Sequence, residues 1–288
     1  EQTDILDTFL DDASNYYVYN ILDKCKETDK TTIYIWDEYW ETIEKRSMRS
    51  LSTIYLGGLE HKIHDKIKNF LSPETKDLYN NLGIPYKQNI LFHGYPGTGK
   101  SSLIFSLASE LNMDVALLHF VKDMNDLDFM RAIRRIPENT ILVLEDIDVL
   151  FESRKKNDDH KTGISFSGLL NSLDGLSYVD NQIIFMTTNC KMVLDKALVR
   201  PGRIDLDVEF KYSTKPQIKM MFDKFLPKQK KNFSSFYKEI KHLKLTTAIL
   251  QQYLFGNING DDILETIDEL KVLCSNNNYE TTKETLYT

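Results

Sequence analysis

The stretch GYPGTGKS, residues 94–101, decides the fold. It fits the pattern G-x-x-x-x-G-K-[ST] in full. The apolar run NILFHG before it reads as a buried strand, and KSSLIFSLASELN after it as a helix. That strand, loop and helix are what phosphate binding needs, because N–H groups of the loop and of the helix start converge on phosphate oxygens. The candidate nucleotide-binding residues are therefore Gly94, Tyr95, Pro96, Gly97, Thr98, Gly99, Lys100, Ser101 and Ser102. Lys100 is expected to supply charge to the β- and γ-phosphates and the Ser101 hydroxyl to ligate Mg²⁺, so ATP and Mg²⁺ are the expected cofactors.

A phosphate loop of this kind requires a second strand that ends in a carboxylate. ILVLED, residues 141–146, is the apolar run that ends in two adjacent acids, Glu145 and Asp146. Around these two segments, short continuous apolar runs alternate with helical patterns: DVALLHF, DLDFMRAIRRI, TILVLED, FSGLLNSLDGL and QIIFMTT. Continuous apolar strands between helices predict an α/β fold, a parallel sheet with helices on both faces. After DVEF the pattern turns helical through KPQIKMMFDKFL, TTAILQQYLF and DDILETIDELKVL, which predicts a small α-helical lid domain.

The expected division is residues 1–50 as the remnant of an N-terminal domain with a helix and strands, 51–212 as the large α/β ATPase domain, and 213–288 as the lid with a frayed tail. In the first part, LDTFLDDASNYYVYNILDKC has helical spacing and TTIYIWDEYW reads as a strand. Its aromatics Tyr34, Trp36, Tyr39 and Trp40 are read as a small-domain core or edge. SLSTIYLGGLEHKIHDKIKNFL is an approach segment followed by an amphipathic helix, on which His61 and His64 are read as surface histidines. His93 is expected to pack beside the phosphate loop, and ESRKKNDDHKTG, residues 152–163, is expected to be an exposed loop.

Composition narrows the function. With 43 acidic against 36 basic residues and a net charge of −7, a broad phosphate-backbone footprint is disfavoured, so nucleic acid is not the expected main partner. Cys25, Cys190 and Cys274 lack metal-ligand spacing, and their odd number does not suit a disulfide framework, which points to a reducing compartment. No run of about 18 apolar residues is present to span a bilayer. The chain opens at Glu1 without a methionine, which leaves open both trimming of the N-terminus and an upstream membrane anchor or targeting segment.

GYPGTGKSS, ILVLEDID, SGLLNSLDG, FMTTN and LDKALVRPGRID occur in this order, and together they resemble the AAA family of ring ATPases. The resemblance implies that Arg200 and Arg203, around a Pro-Gly, are arginine fingers reaching the γ-phosphate bound by a neighbouring subunit. Physically, a fixed planar cation there stabilises charge spreading over the transferred phosphoryl group. The competing reading pairs these arginines with Asp195 or Asp205 of their own chain. By the same resemblance Asn189 is a polar sensor, Asp174 lies near the subunit boundary, and the protein is a homo-oligomeric ring acting on a protein client. No arginine stands at the start of TTAILQQYLF, so no second sensor is assigned there.

LGIPYKQNILFHG, ISFSGLLNSLDG, FMTTN and the lead-in RSMRSLSTIYL are similar to the subfamily of mitochondrial chaperones that translocate the folded Rieske iron–sulfur protein for bc-complex assembly. The general family implies six subunits and this subfamily seven. The resemblance also implies the Glu-Asp order, reversed from most ring ATPases: Glu145 then serves the Mg²⁺ shell and Asp146 orients the lytic water. Glu is longer than Asp by about 1.5 Å, and a misplacement of about 1 Å can cost roughly a hundredfold in rate, so the local backbone has to compensate. No glycine occurs between Gly99 and Gly163, and VKDMNDLDFM fills the place of an aromatic–hydrophobic–glycine threading loop. The expected function is thus an ATP-hydrolysing ring ATPase that moves or remodels a protein client without aromatic pore-loop threading. The alternatives are a nucleotide-gated assembly protein with little hydrolysis and, behind it, a nucleic-acid motor.

Overall fold

In a computed structural model, the described residues are 30–121, 124–151, 163–173, 181–200, 202–260 and 262–277. The helix expected before residue 30, most of the loop 152–163, Asp174, Cys25 and the frayed tail lie outside them. Seven strands form one sheet: β1 (Lys30–Asp37), β2 (Tyr39–Ser47), β3 (Lys87–Gly94), β4 (Asp114–Leu118), β5 (Thr140–Leu144), β6 (Gln182–Thr188) and β7 (Leu206–Phe210). Their order is β2-β1-β4-β5-β6-β3-β7. Every pairing is parallel except that of β1 with β2.

Alternate residues of the strands feed two cores. Ile90, Phe92, Ile141, Val143, Ile183 and Phe185 meet helices α1 (Leu59–Phe70) and α3 (Lys100–Glu110) on one face. Leu91, Leu142, Leu144, Ile184 and Met186 meet α4 (Asp126–Arg134) and α5 (Phe166–Leu173) on the other. With both faces covered, the strands read as unbroken apolar runs, and the expected α/β class holds.

Three local features depart from the sequence reading. TTIYIWDEYW is a hairpin and not a single strand, because Glu38 turns the chain at φ 59° and sets Trp36 opposite Trp40. Residues 30–47 join the sheet of the domain expected to begin at residue 51, with Ile33 of β1 beside Val115 of β4. Tyr34, Trp36 and Trp40 cover the α4 side of that edge, and the Trp40 indole donates to the Ala132 carbonyl at 2.9 Å. Tyr39 stays exposed.

The second departure is helix α2 (Pro73–Leu82), which fully buries no side chain, packs Tyr79 edge-on against Phe70 and Tyr86, and is capped at both ends. The Ser72 hydroxyl accepts from the Thr75 amide, Pro73 opens the first turn, and Gly83 stops it in a left-handed conformation. The third is α7 (Phe233–Ile240), where Phe233, Phe236 and Ile240 form a buried stripe at helical spacing. With α6 (Lys215–Phe225), α8 (Thr247–Gly256) and α9 (Ile267–Asn277) it builds a separate core around Phe222, Leu250 and Tyr253.

Candidate active site

In the strand order, β5, β6 and β3 lie side by side, so their carboxyl ends form a continuous rim. That rim is where ligands of parallel sheets bind. Glu145 and Asp146 follow β5, Asn189 follows β6, and Gly94 ends β3 and opens the phosphate loop. Residues far apart in sequence thereby become neighbours.

Contacts at the rim are specific. The Ser101 hydroxyl donates to Glu145 Oε1 at 2.8 Å. Lys100 Nζ donates to the carbonyls of Gly94 at 2.7 Å and Tyr95 at 3.1 Å, and to Asn189 Oδ1 at 2.8 Å. Asn189 Nδ2 in turn donates to Asp146 Oδ1 at 3.2 Å. The cation, the amide and the carboxylate thus form one chain, in which each end of the Asn189 side chain has an assigned partner.

Burial and neighbouring charge tune these groups. Burial is the main cause that lowers the Lys100 pKa to about 8, against the opposing pull of Asp146 and Asp148. The Asp146 pKa is raised, first by burial and then by Asp148 and Glu145 alongside, with Lys100 and His119 acting the other way. A lysine at about 8 is still mostly protonated at neutral pH, so the loop keeps its positive charge.

The backbone is unusual at Asp146, whose φ is 49°, and its amide donates to the Thr187 hydroxyl at 3.0 Å. A left-handed aspartate directly after a buried strand re-aims the shorter of the two acids. The oxygen set of Ser101 and Glu145 suits a hard divalent cation such as Mg²⁺. Gly94 is required sterically, since a Cβ there would lie 2.0 Å from the Phe210 carbonyl oxygen.

The remaining candidates are placed as follows. Pro96 and Ser102 lie in the loop and in the first turn of α3. Thr98 is buried and its hydroxyl donates to the Tyr95 carbonyl at 2.7 Å. Arg200 is exposed, and among the described residues no partner holds its guanidinium. Arg203 Nη1 donates to the Ala197 carbonyl at 2.7 Å. Asp195 accepts from the Ala197 amide and Asp205 from the Asn89 amide. His93 lies beside the loop, with Nε2 at 3.0 Å from Asp207 Oδ1, and His64 lies 3.1 Å from Asp65.

Sequence reasoning missed several participants. Thr187 fixes the Asp146 backbone, and Asp207 holds His93. The Tyr95 ring stacks on Tyr212 with centroids 4.2 Å apart. Thr247 and Ala248, at the start of α8, bond to the phosphate loop. Thr187 falls within FMTTN and Tyr95 within GYPGTGKS, whereas Asp207, Tyr212, Thr247 and Ala248 lie in no motif, although TTAILQQYLF reads as a helix.

A phosphate loop, an acid-ended strand and a polar strand end on adjacent parallel strands define a P-loop nucleotide-binding domain. Residues 90–212 match the model of the ATPase family associated with various cellular activities (AAA), so this stretch is an AAA ATPase domain. It is 36% identical to the probable mitochondrial chaperone BCS1-A of Dictyostelium discoideum, across 85% of this chain and 61% of that protein. With the mitochondrial chaperone BCS1 of Homo sapiens the identity is 34%, across 77% of this chain and 56% of the relative. The probable mitochondrial chaperone bcs1 of Schizosaccharomyces pombe is 37% identical across 69% of this chain and 45% of its own length. The chain therefore spans roughly half to three-fifths of the length of these relatives.

Proposed function

We propose that this chain is the motor part of a chaperone-type AAA ATPase, which hydrolyses ATP and assembles as a homo-oligomeric ring to act on a protein client. The observation that carries this reading is the chain of contacts from Lys100 through Asn189 to Asp146, beside the Ser101–Glu145 pair. In this reading Lys100 neutralises the β- and γ-phosphates. Ser101 and Glu145 would hold Mg²⁺, which would supply positive charge at the phosphate oxygens. Asn189 orients the attacking water, and Asp146 accepts hydrogen bonding from it. The raised pKa of Asp146 makes it a stronger base than a solvated aspartate. Arg200 and Arg203 reach the γ-phosphate of the adjoining subunit, a role supported for Arg200 by its exposed guanidinium.

The relatives named mitochondrial chaperones support a protein client and a mitochondrial setting. No helix among the described residues is long and apolar enough to cross a membrane. The lack of any glycine between Gly99 and Gly163 supports handling of the client without an aromatic–glycine threading loop.

The test is steady-state phosphate release. Asp146→Asn should lower it at least about a hundredfold, within the range that positioned bases contribute, while ADP affinity stays within a few-fold of the parent. Unchanged release in that variant would remove Asp146 from the chemistry.

A further inference from the structure

The lid touches the phosphate loop through two hydrogen bonds to one oxygen. The Gly97 carbonyl accepts from the Ala248 amide at 3.0 Å and from the Thr247 hydroxyl at 3.0 Å. These donors begin α8, whose first turn is fixed by Thr246 accepting from the Ile249 amide. The approach is close enough that a Cβ on Gly97 would lie 3.1 Å from the Ala248 Cβ and 3.3 Å from the Thr246 hydroxyl. Gly97 also sits at φ 72°, a conformation few other residues adopt. Thr247 Oγ1 lies 3.6 Å from where a Cβ on Gly99 would stand, so one hydroxyl spans both interior glycines of the loop.

Peptide planarity gives this contact a consequence. In a trans peptide the carbonyl of one residue and the N–H of the next point in opposite directions. Two donors holding the Gly97 carbonyl on the lid side therefore turn the Thr98 N–H away from the lid. Thr98 cannot drift, because it is buried and its hydroxyl is bonded to the Tyr95 carbonyl. Just past the end of β7, the Ser213 amide donates to the Leu245 carbonyl at 2.7 Å, which pins the segment that leads into α8.

We propose that Thr247, together with the Ala248 amide, is a positioning pair that aims the Thr98 N–H at a nucleotide phosphate and couples lid docking to nucleotide affinity. This rests on reading the loop as a nucleotide site. The coupling is reciprocal: what the docked lid adds to nucleotide binding, bound nucleotide adds to lid docking. Because Thr98 N–H would contact phosphate in the ground state and the transition state alike, the effect belongs in KM and not in kcat.

Thr247→Val keeps the branched shape and removes the donor, whereas Thr247→Ser restores it. The valine variant should bind a fluorescent ADP analogue about fivefold more weakly, the scale of one neutral hydrogen bond. Its KM for ATP should rise in step at unchanged kcat, and the serine variant should recover most of the loss. Parental affinity in the valine variant, or an equal loss in the serine variant, would overturn the assignment. In the parent protein, ADP should slow hydrogen exchange of the Ala248 amide, and unchanged exchange on ADP binding would overturn the coupling even if the valine variant did not fold. A parent protein that binds no ADP analogue would instead overturn the nucleotide reading, and this inference with it.

Discussion

Asp146 holds a left-handed backbone and an exposed carboxylate with a raised pKa at once, and the two properties respond differently to substitution. Asparagine tolerates positive φ nearly as well as aspartate, so Asp146→Asn removes charge with little backbone cost, whereas a β-branched residue would add strain. Lys100 carries a prediction with two opposite signs. Its folded pKa of about 8 lies below the ordinary lysine value of 10.5, so the unfolded chain binds more protons between those limits. This group's contribution to stability should therefore rise as pH climbs from about 8 towards 10.5. ADP affinity should fall over the lower part of that range as the ammonium is lost. Urea midpoints of the parent and of Lys100→Met at pH 7.5 and 9.5, beside ADP titrations of the parent, check both limbs.

At the scale of elements, the ends of β3 and α2 predict very different costs. Gly94→Ala drives a Cβ to 2.0 Å from the Phe210 carbonyl oxygen and so presses on the β3–β7 seam. It should destabilise by about 3 kcal/mol or more, at the top of the overpacking range. Ser72→Ala removes the acceptor for the Thr75 amide and the donor to the Thr75 hydroxyl, and should cost about 1 kcal/mol. Urea unfolding of the two variants gives the comparison. The same contrast explains what the sequence disclosed. Parallel strands buried on both faces announce themselves as apolar runs, and the loop and acid pair are contiguous words. Helix α2 has no buried stripe to betray it, and the Glu38 turn lies inside a run of β-forming residues. The clamp of Thr247 on Gly97 joins residues 150 positions apart, and the bond of Asp205 to the Asn89 amide joins residues 116 apart. Such pairings exist only once the sheet order is set, so no local pattern encodes them.

For the whole molecule, the proposed ring makes the fingers testable by mixing. Arg200→Ala and Asp146→Asn should each be nearly inactive alone. Combined in one assembly, an intact Asp146 of one subunit can face an intact Arg200 of the next. Partial recovery of phosphate release on mixing is the expected outcome, and none is expected if Arg200 acts within its own chain. Size measurements with ATP, ADP and no nucleotide should show an assembly, and a monomer in every state would refute the ring.

The strand order bears as well on how the chain is made. Strand β3, buried along most of its length, ends at Gly94, yet its two neighbours begin only at Gln182 and Leu206. On a ribosome, therefore, its apolar strand must wait without a partner while most of the large domain is synthesised. Non-local parallel pairing of this kind is slow and exposes sticky surface in the interval. A protein proposed to serve a client is thus, during its own birth, a candidate client, and its refolding yield from urea should fall steeply as concentration rises.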